Sequence, residues 1–379
     1  MKIFHLSDLH LGKRLNEYSL IDDQRYILDQ VLTLVDGHKP DAVLIAGDVY
    51  DKTVPSASAV ELFDYFLCAL ADRNVSVFII SGNHDSAERL AFAGKLLKDN
   101  GVFVSKVYDG VVEPITLTDE FGEVNFYLLP FIKPISVRTA FNMEGVETYT
   151  DAIRLAVEKM QVNYSKRNVL LSHQFVTGAT ESGSETVSVG GADNADVDAF
   201  GEFDYIALGH IHGAQTVKGS VARYSGTPLK YSFSETEHVK SVTVVDMKEK
   251  GDTVISELPL KPIRDLVKIR GKYNEIMSKD FYAGTTLERD YVHVTLTDEE
   301  DIIEVISKLR TVYKNLMKIE YDNARTKKNA NFGESVLVAE LSPEELFSEF
   351  FTLQNNKEMS DKQRDFSNEK LAETWEGDR

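Results

Sequence analysis

Ala42-Val43-Leu44-Ile45-Ala46-Gly47-Asp48-Val49-Tyr50-Asp51 sets a short apolar run against a polar turn. The run is too short for a buried helix and rich in branched side chains, so it reads as a strand buried on both faces. The glycine that follows lets the backbone turn sharply and delivers Asp48 at the strand's end. The same arrangement recurs along the first two-thirds of the chain. Residues 3–6 precede Asp8-Leu9-His10, and residues 75–80 precede Gly82-Asn83-His84-Asp85. Residues 169–171 precede Ser172-His173, and residues 205–208 precede Gly209-His210-Ile211-His212. Between the first three strands lie helical patterns. Residues 21–36 carry Tyr26, Ile27, Val31, Leu34 and Val35 on one face, and residues 56–72 carry Val60, Phe63, Leu67 and Leu70. A third pattern, 151–164, presents Ile153, Leu155, Val157 and Met160. Strands alternating with such helices predict an α/β (α+β) layered core, a β-sandwich flanked by helices. Its polar motifs then fall at the carboxyl ends of strands, where open α/β sheets bind their ligands.

The 379 residues exceed one average domain. The pattern predicts a catalytic domain over 1–262, a small α/β unit over 263–341 and a helix-break-helix arm over 342–379. In the second unit, residues 266–269, 291–296 and 316–321 read as strands, and Ile302, Ile303, Ile306 and Leu309 read as a helix stripe. The arm opens on Ser342-Pro343-Glu344-Glu345, a cap with Pro at the first helical position. Leu346, Phe347, Phe350 and Phe351 follow, and residues 361–375 read as a second, charged helix. Residues 178–191, rich in Gly, Ser, Thr and Glu, read as a mobile loop. Cys68 is the one cysteine and falls among Leu62, Phe63, Phe66, Leu67 and Leu70, so it is expected buried. No apolar run approaches a membrane span and the N-terminus lacks a signal's layout, so a cytoplasmic location is expected. The net charge of −19 argues against a general polyanion binder. It leaves room for an enzyme whose bound cations and local basic loops meet the substrate.

The motif residues supply a donor set. Asp8 and His10, like His210 and His212, are two apart, so an extended backbone projects each pair to one side. With Asp48, Asn83 and His173 they make seven ligands of mixed nitrogen and oxygen type and no thiolate. That mixture suits Mn, Fe, Zn or Co better than Ca. Two such cations, about 3.5–4 Å apart, are a general device for phosphoester hydrolysis. His84 adjoins Asn83 but points elsewhere, which makes it the candidate to stabilise the transition state or protonate the leaving oxygen. A carboxylate would orient it, and Asp51 and Asp85 are both at hand. Singly, these motifs are ordinary turns or surface pairs. Five in this order, each at an expected strand end, are not.

This set resembles the calcineurin-like metallophosphoesterases: D-x-H, G-D-x-x-D, G-N-H-D, a lone His, then G-H-x-H. Further segments are similar to the SbcD nuclease family, namely His10–Arg14 with Tyr18 and Asp22-Asp23-Gln24, and Tyr224 through Glu235. The resemblance covers roughly residues 1–250 closely and the remainder by layout. It implies one metal on Asp8, His10, Asp48 and His212, a second on Asp48, Asn83, His173 and His210, and a catalytic His84 aligned by Asp51. It also implies two divalent ions, with Mn2+ the expected metal, and 3′→5′ double-strand exonuclease and hairpin or single-strand endonuclease activity on DNA. The second unit would be a capping domain. The arm would dock on the ATPase partner SbcC, with a homodimer of this chain inside a heterotetramer serving DNA repair, replication and recombination. Any ATP dependence would belong to that partner, since Gly94-Lys95 lacks the flanking residues of a P-loop. Two other readings share the fold. One is a phosphatase or phosphodiesterase on a smaller ester, for which Lys52 stands where a phosphoprotein phosphatase carries Arg. The other is a non-catalytic adaptor, which a degraded ligand set would have favoured.

Overall fold

The computed structural model describes residues 1–92, 94–185 and 194–323, and in the tail residues 344, 347, 348, 351, 352 and 358–376. Four strands open the first sheet: β1 (Lys2–Leu6), β2 (Ala42–Ala46), β3 (Ser76–Ile80) and β4 (Val102–Val104). They pair parallel in that order. The crossovers between β1, β2 and β3 are α1 (Ile21–His38) and α2 (Ala57–Ala71). The chain then builds a second sheet from β5 (Ile115–Asp119), β6 (Gly122–Leu128), β7 (Arg167–His173), β8 (Tyr205–Gly209), β9 (Gln215–Thr216) and β10 (Ala222–Tyr224), ordered 9-10-8-7-6-5. Finally β11 (Ser241–Met247) and β12 (Thr253–Pro259) return to the first sheet, where β11 pairs antiparallel with β1.

The period of two along each strand explains why the sheets stack. Ile3, Ala42, Leu44, Phe78 and Ile80 of the first sheet face Val124, Phe126, Leu128, Val169, Leu171 and Tyr205 of the second in one core. Phe78 and Phe126 stack across it with centroids 4.3 Å apart. Each such side chain contributes roughly 1.5–3 kcal/mol by burial. The opposite face of the second sheet packs against α3 (Tyr149–Lys159) through Ala152, Ile153, Ala156 and Val157. The expected sandwich flanked by helices is therefore the observed fold. His5, expected to be structural, lies inside it and bonds through Nδ1 to Tyr205 Oη at 2.9 Å.

Three expectations are corrected. Cys68 is exposed. α2 buries Leu62, Phe63, Phe66 and Leu70, and a residue two beyond Phe66 lies about 200° around the helix. Val60, two residues before buried Leu62, is exposed through the same phase, as is Tyr26 on α1, two before buried Leu28. α3 stops at Lys159 rather than 164, because Gln161 takes a left-handed φ of 50°. The isoleucine stripe fails too. Glu304 at φ 54° delays the helix to Val305–Leu309, leaving Ile303 and Ile306 exposed and Leu309 buried.

The chain divides into two compact units, Met1–Leu266 and Val267–Arg379. The second holds a three-stranded sheet of β13 (Leu266–Gly271), β14 (Tyr291–Leu296) and β15 (Asn315–Tyr321), with β14 central. Ile269, Ile276, Val292, Val294, Leu309, Tyr313 and Leu316 form its core. In the tail, α4 (Asp361–Glu376) occupies the stretch read as a charged helix. The Ser342–Glu345 cap signal, Leu346 and Phe350 fall outside the described residues, apart from Glu344. Among the described residues no helix is long and apolar enough to cross a membrane.

Candidate metal centre

Every strand that ends in a motif ends at one place. β1 and β2 are adjacent, so Asp8 and Asp48 emerge side by side, with Asp8 N bonding to Gly47 O at 3.0 Å and His10 N to Asp48 O at 2.9 Å. β3 brings Gly82 and Asn83, while β7 and β8 bring His173 and Gly209 from the other sheet. The approach is so close that only glycine fits at two positions. A Cβ on Gly209 would lie 1.9 Å from Ala46 O, and one on Gly82 would lie 2.1 Å from Asp48 Oδ1. Asp8, His10, Asp48 and His210 all hold φ between 43° and 107°. Backbone strain of this kind, about 1–3 kcal/mol per residue, concentrates at functional sites.

All seven candidate ligands meet here. Asp8, His10 and His212 bring one donor atom each within 4.8 Å of one another, and so do Asp8, Asp48 and His173. Asp48 Oδ2 lies 3.4 Å from His173 Nε2 and 3.7 Å from His10 Nε2, so this carboxylate faces imidazoles on both sides. Asn83 Oδ1 lies 3.0 Å from His173 Nε2 and 3.0 Å from His210 Nδ1. His210 N bonds both oxygens of Asp8 at 3.1 Å.

These residues fit cations on two grounds. His10 is 2% exposed and, among the described residues, neither ring nitrogen has a hydrogen-bond partner. An imidazole so buried needs something to bind. His173 gives its Nδ1–H to Ala46 O at 2.8 Å. Its Nε2 is thereby turned to the oxygens of Asn83 and Asp48, where a cation would take the place of the Nε2 proton and be shared by all three donors. The electrostatics agree. Burial raises the pKa of Asp8, reinforced by Asp48 and opposed by His173. Burial would lower that of His173, but the charges of Asp48 and Asp8 overcome it and carry it to about 9. Burial, opposed by Asp48, holds His10 well below its usual value. Two carboxylates crowd one dry site, and without a cation the proton on His173 balances them.

His84 stands beside this cluster. Its N bonds Asp48 Oδ1 at 2.8 Å, which also fixes that carboxylate. Its ring meets His10 edge-on at 4.9 Å. The orienting acceptor differs from the expected carboxylate. His84 Nδ1 donates to the main-chain O of Asp51 at 3.1 Å. The Asp51 carboxylate instead pairs with Lys13 at 2.7 Å and lies 3.8 Å from His10 Nδ1. One of its oxygens still lies within 4.8 Å of a His84 ring nitrogen. Asp85 does not substitute, because its oxygens accept from Val49, Tyr50 and Gly82 amides at 2.9–3.1 Å and tie two motif loops together.

Residues 1–214 match the family model described as calcineurin-like phosphoesterase. The chain is 33% identical over 323 residues to the SbcD component of the nuclease SbcCD from Staphylococcus epidermidis, covering 84% of this chain and 85% of that protein. The chain belongs to the SbcD family of calcineurin-like phosphoesterases. As an SbcD-family member with this donor set it is a metal-dependent phosphodiesterase-type hydrolase. Residues 262–355 match a second model, described as type 5 capsule protein repressor C-terminal domain. Two solved structures are similar at lower levels. A Thermus thermophilus protein has TM-score 0.38 and 12% identity, over 68% of this chain and 98% of that one. A dimetal phosphatase from Danio rerio has TM-score 0.39 and 11% identity, over 69% and 98%.

The segments that suggested SbcD prove to be supports of the site. Gln24 on α1 donates to His10 O at 2.7 Å and accepts from Gly12 N at 3.0 Å, pinning the turn that carries His10. Tyr231 Oη donates to Leu9 O. Residues that motif spacing missed include Lys13, Glu235 and Lys240. Part of the expected mobile loop is also tied in. Thr180 and Gln215 exchange two bonds of 2.8 Å, and Glu185 accepts from His212 N at 2.9 Å.

Proposed function

We propose that this chain is the nuclease subunit of an SbcCD-type complex, cutting DNA with two divalent ions, of which Mn2+ is the expected metal. The observation that carries the reading is the convergence of Asp8, His10, Asp48, Asn83, His173, His210 and His212 on one point, with His84 beside it. When bound, the cations supply Lewis-acid polarisation of the phosphoryl group and lower the pKa of a water. The protein's own part is positioning and proton handling. Asp8, Asp48, Asn83 and four imidazoles hold the centre in a strained, buried frame that needs no rearrangement on reaction. His84 donates Nδ1–H to the Asp51 carbonyl, so its Nε2 is the working atom. In the imidazolium form Nε2–H can donate to a phosphoryl or leaving oxygen.

A cleft of about 460 Å³ adjoins Asn83 and is lined by Phe131, Arg89 and Lys133. Two cations and an aromatic ring beside the centre suit a nucleotide flanking the scissile phosphate, in a chain whose overall charge is −19. We assign 3′→5′ double-strand exonuclease and hairpin endonuclease action to it by family membership, with roles in repair, replication and recombination. The second unit acts as the DNA-capping domain. The arm, 342–379, docks an SbcC-type ATPase, with two copies of this chain in the assembly and a cytoplasmic location.

The test is cleavage of a labelled DNA hairpin with Mn2+, beside a phosphopeptide and a cyclic nucleotide. Turnover of the hairpin, abolished by chelation, is the expected result. Turnover of either small ester in its place would reassign the substrate. A chain ending at Leu341 should still cleave simple DNA with Mn2+ and lose co-purification with an SbcC-type partner. Undiminished capture of the partner would move the docking site elsewhere.

A further inference from the structure

Behind His212, a carboxylate and an ammonium are buried together. Glu235 has no exposed surface and Lys240 is 7% exposed. Lys240 Nζ donates to Glu235 Oε2 at 2.6 Å, to Thr227 Oγ1 at 2.6 Å and to the main-chain O of His212 at 2.9 Å, so each of its three protons has an acceptor. Glu235 Oε1 lies 3.1 Å from His212 Nδ1 and accepts from Ser184 Oγ at 2.7 Å. Desolvating two charges is expensive, and an apolar pair of similar volume commonly serves stability as well or better. Stability therefore explains this pair poorly, and its geometry explains it better.

Glu235 Oε2 is taken by the Lys240 ammonium, and Oε1 is turned to the His212 ring. His212 Nδ1 faces this carboxylate and, at 2.9 Å, Ser184 Oγ; Ser184 gives its own proton to Glu235, so both oxygens accept and Nδ1 carries the proton. The Nε2 lone pair is then left for the side where Asp8 and His10 lie. The main chain of His212 is fixed as well, since its N bonds Glu185 and its O bonds Lys240. His173 is backed differently, by the neutral carbonyl of Ala46. A carboxylate behind an imidazole orients the ring and strengthens it as a metal donor, more than a carbonyl does.

We propose that Glu235, held in place by Lys240, is a positioning residue that orients His212 and strengthens the metal site formed with Asp8 and His10. This rests on the two-metal reading above. It makes the two sites unequal by construction, one backed by a buried carboxylate and the other by a main-chain oxygen.

The test is calorimetric titration of the intact, metal-free chain with Mn2+, for wild type, Glu235→Gln and the double variant Glu235→Gln/Lys240→Met. The double variant leaves no ammonium buried without its counter-charge, so it separates positioning from a folding defect. The expected result is two ions in wild type. In the variants one ion should bind roughly 10–100-fold more weakly while the other is unchanged, and the metal-free double variant should keep its melting temperature. Two ions at wild-type affinity in the folded double variant would overturn the proposal. Equal weakening of both ions alongside a lowered metal-free melting temperature would also overturn it, by showing a purely structural pair. Fewer than two ions in wild type would instead refute the two-metal reading, and the proposal with it.

Discussion

Asp48→Asn should cut phosphodiester hydrolysis by about 10³-fold or more, equivalent to about 4 kcal/mol at the transition state. It should also reduce bound manganese from two ions per chain to one or none. The side chain is 2% exposed and is the carboxylate with imidazoles on both sides, His173 at 3.4 Å and His10 at 3.7 Å. Burial raises its pKa, yet His173, His10 and His84 together hold it below the usual carboxylate range. It is thus an anion that the neighbouring groups are arranged to keep. Asparagine has the same shape and its amide oxygen can still accept from His84 N, so the loop should survive and circular dichroism should match wild type. Two ions at full affinity, with activity within about tenfold of wild type, would show that Asp48 is not the shared ligand.

His84→Gln should leave both ions bound and lower turnover by about 10²–10⁴-fold. The distinction follows from the bonds. What His84 gives the metal cluster is its main-chain N–H, donated to Asp48 at 2.8 Å, which glutamine keeps. What it gives the reaction is a ring fixed through Nδ1 on the Asp51 carbonyl, which glutamine lacks. Metal content by elemental analysis and rate on a hairpin substrate should therefore part company in this variant and fall together in Asp48→Asn. Full activity of the glutamine variant would remove His84 from the chemistry.

Strands and ligand-bearing turns were legible because the chemistry is local. An apolar run followed by a polar turn suffices to mark a strand end. The pairs Asp8/His10 and His210/His212 do converge, but through left-handed turns at Asp8, His10 and His210 and not through the extended backbone that their spacing suggests. What spacing does not encode is which way a side chain turns once a distant charge competes for it. Asp51 reads as the partner of His84, but its carboxylate bonds Lys13 and the histidine bonds its carbonyl, with the carboxylate still within 4.8 Å of the ring. Asp85 reads as the alternative, but three backbone amides claim it. Cys68 looked buried because its neighbours are apolar, while helix phase puts it outside. Glu235 and Lys240 gave no signal as a pair. Their meaning appears only when the chain after β10 brings them behind His212, 23 residues from Glu235 in sequence.

The most direct measurement of the two-metal centre is anomalous diffraction at the manganese edge from crystals of the wild-type chain equilibrated with Mn2+. Two peaks are expected, one on each side of the Asp48 carboxylate. One would lie among Asp8, His10 and His212, and the other among Asn83, His173 and His210. A single peak, or peaks away from Asp48, would contradict the shared-carboxylate centre.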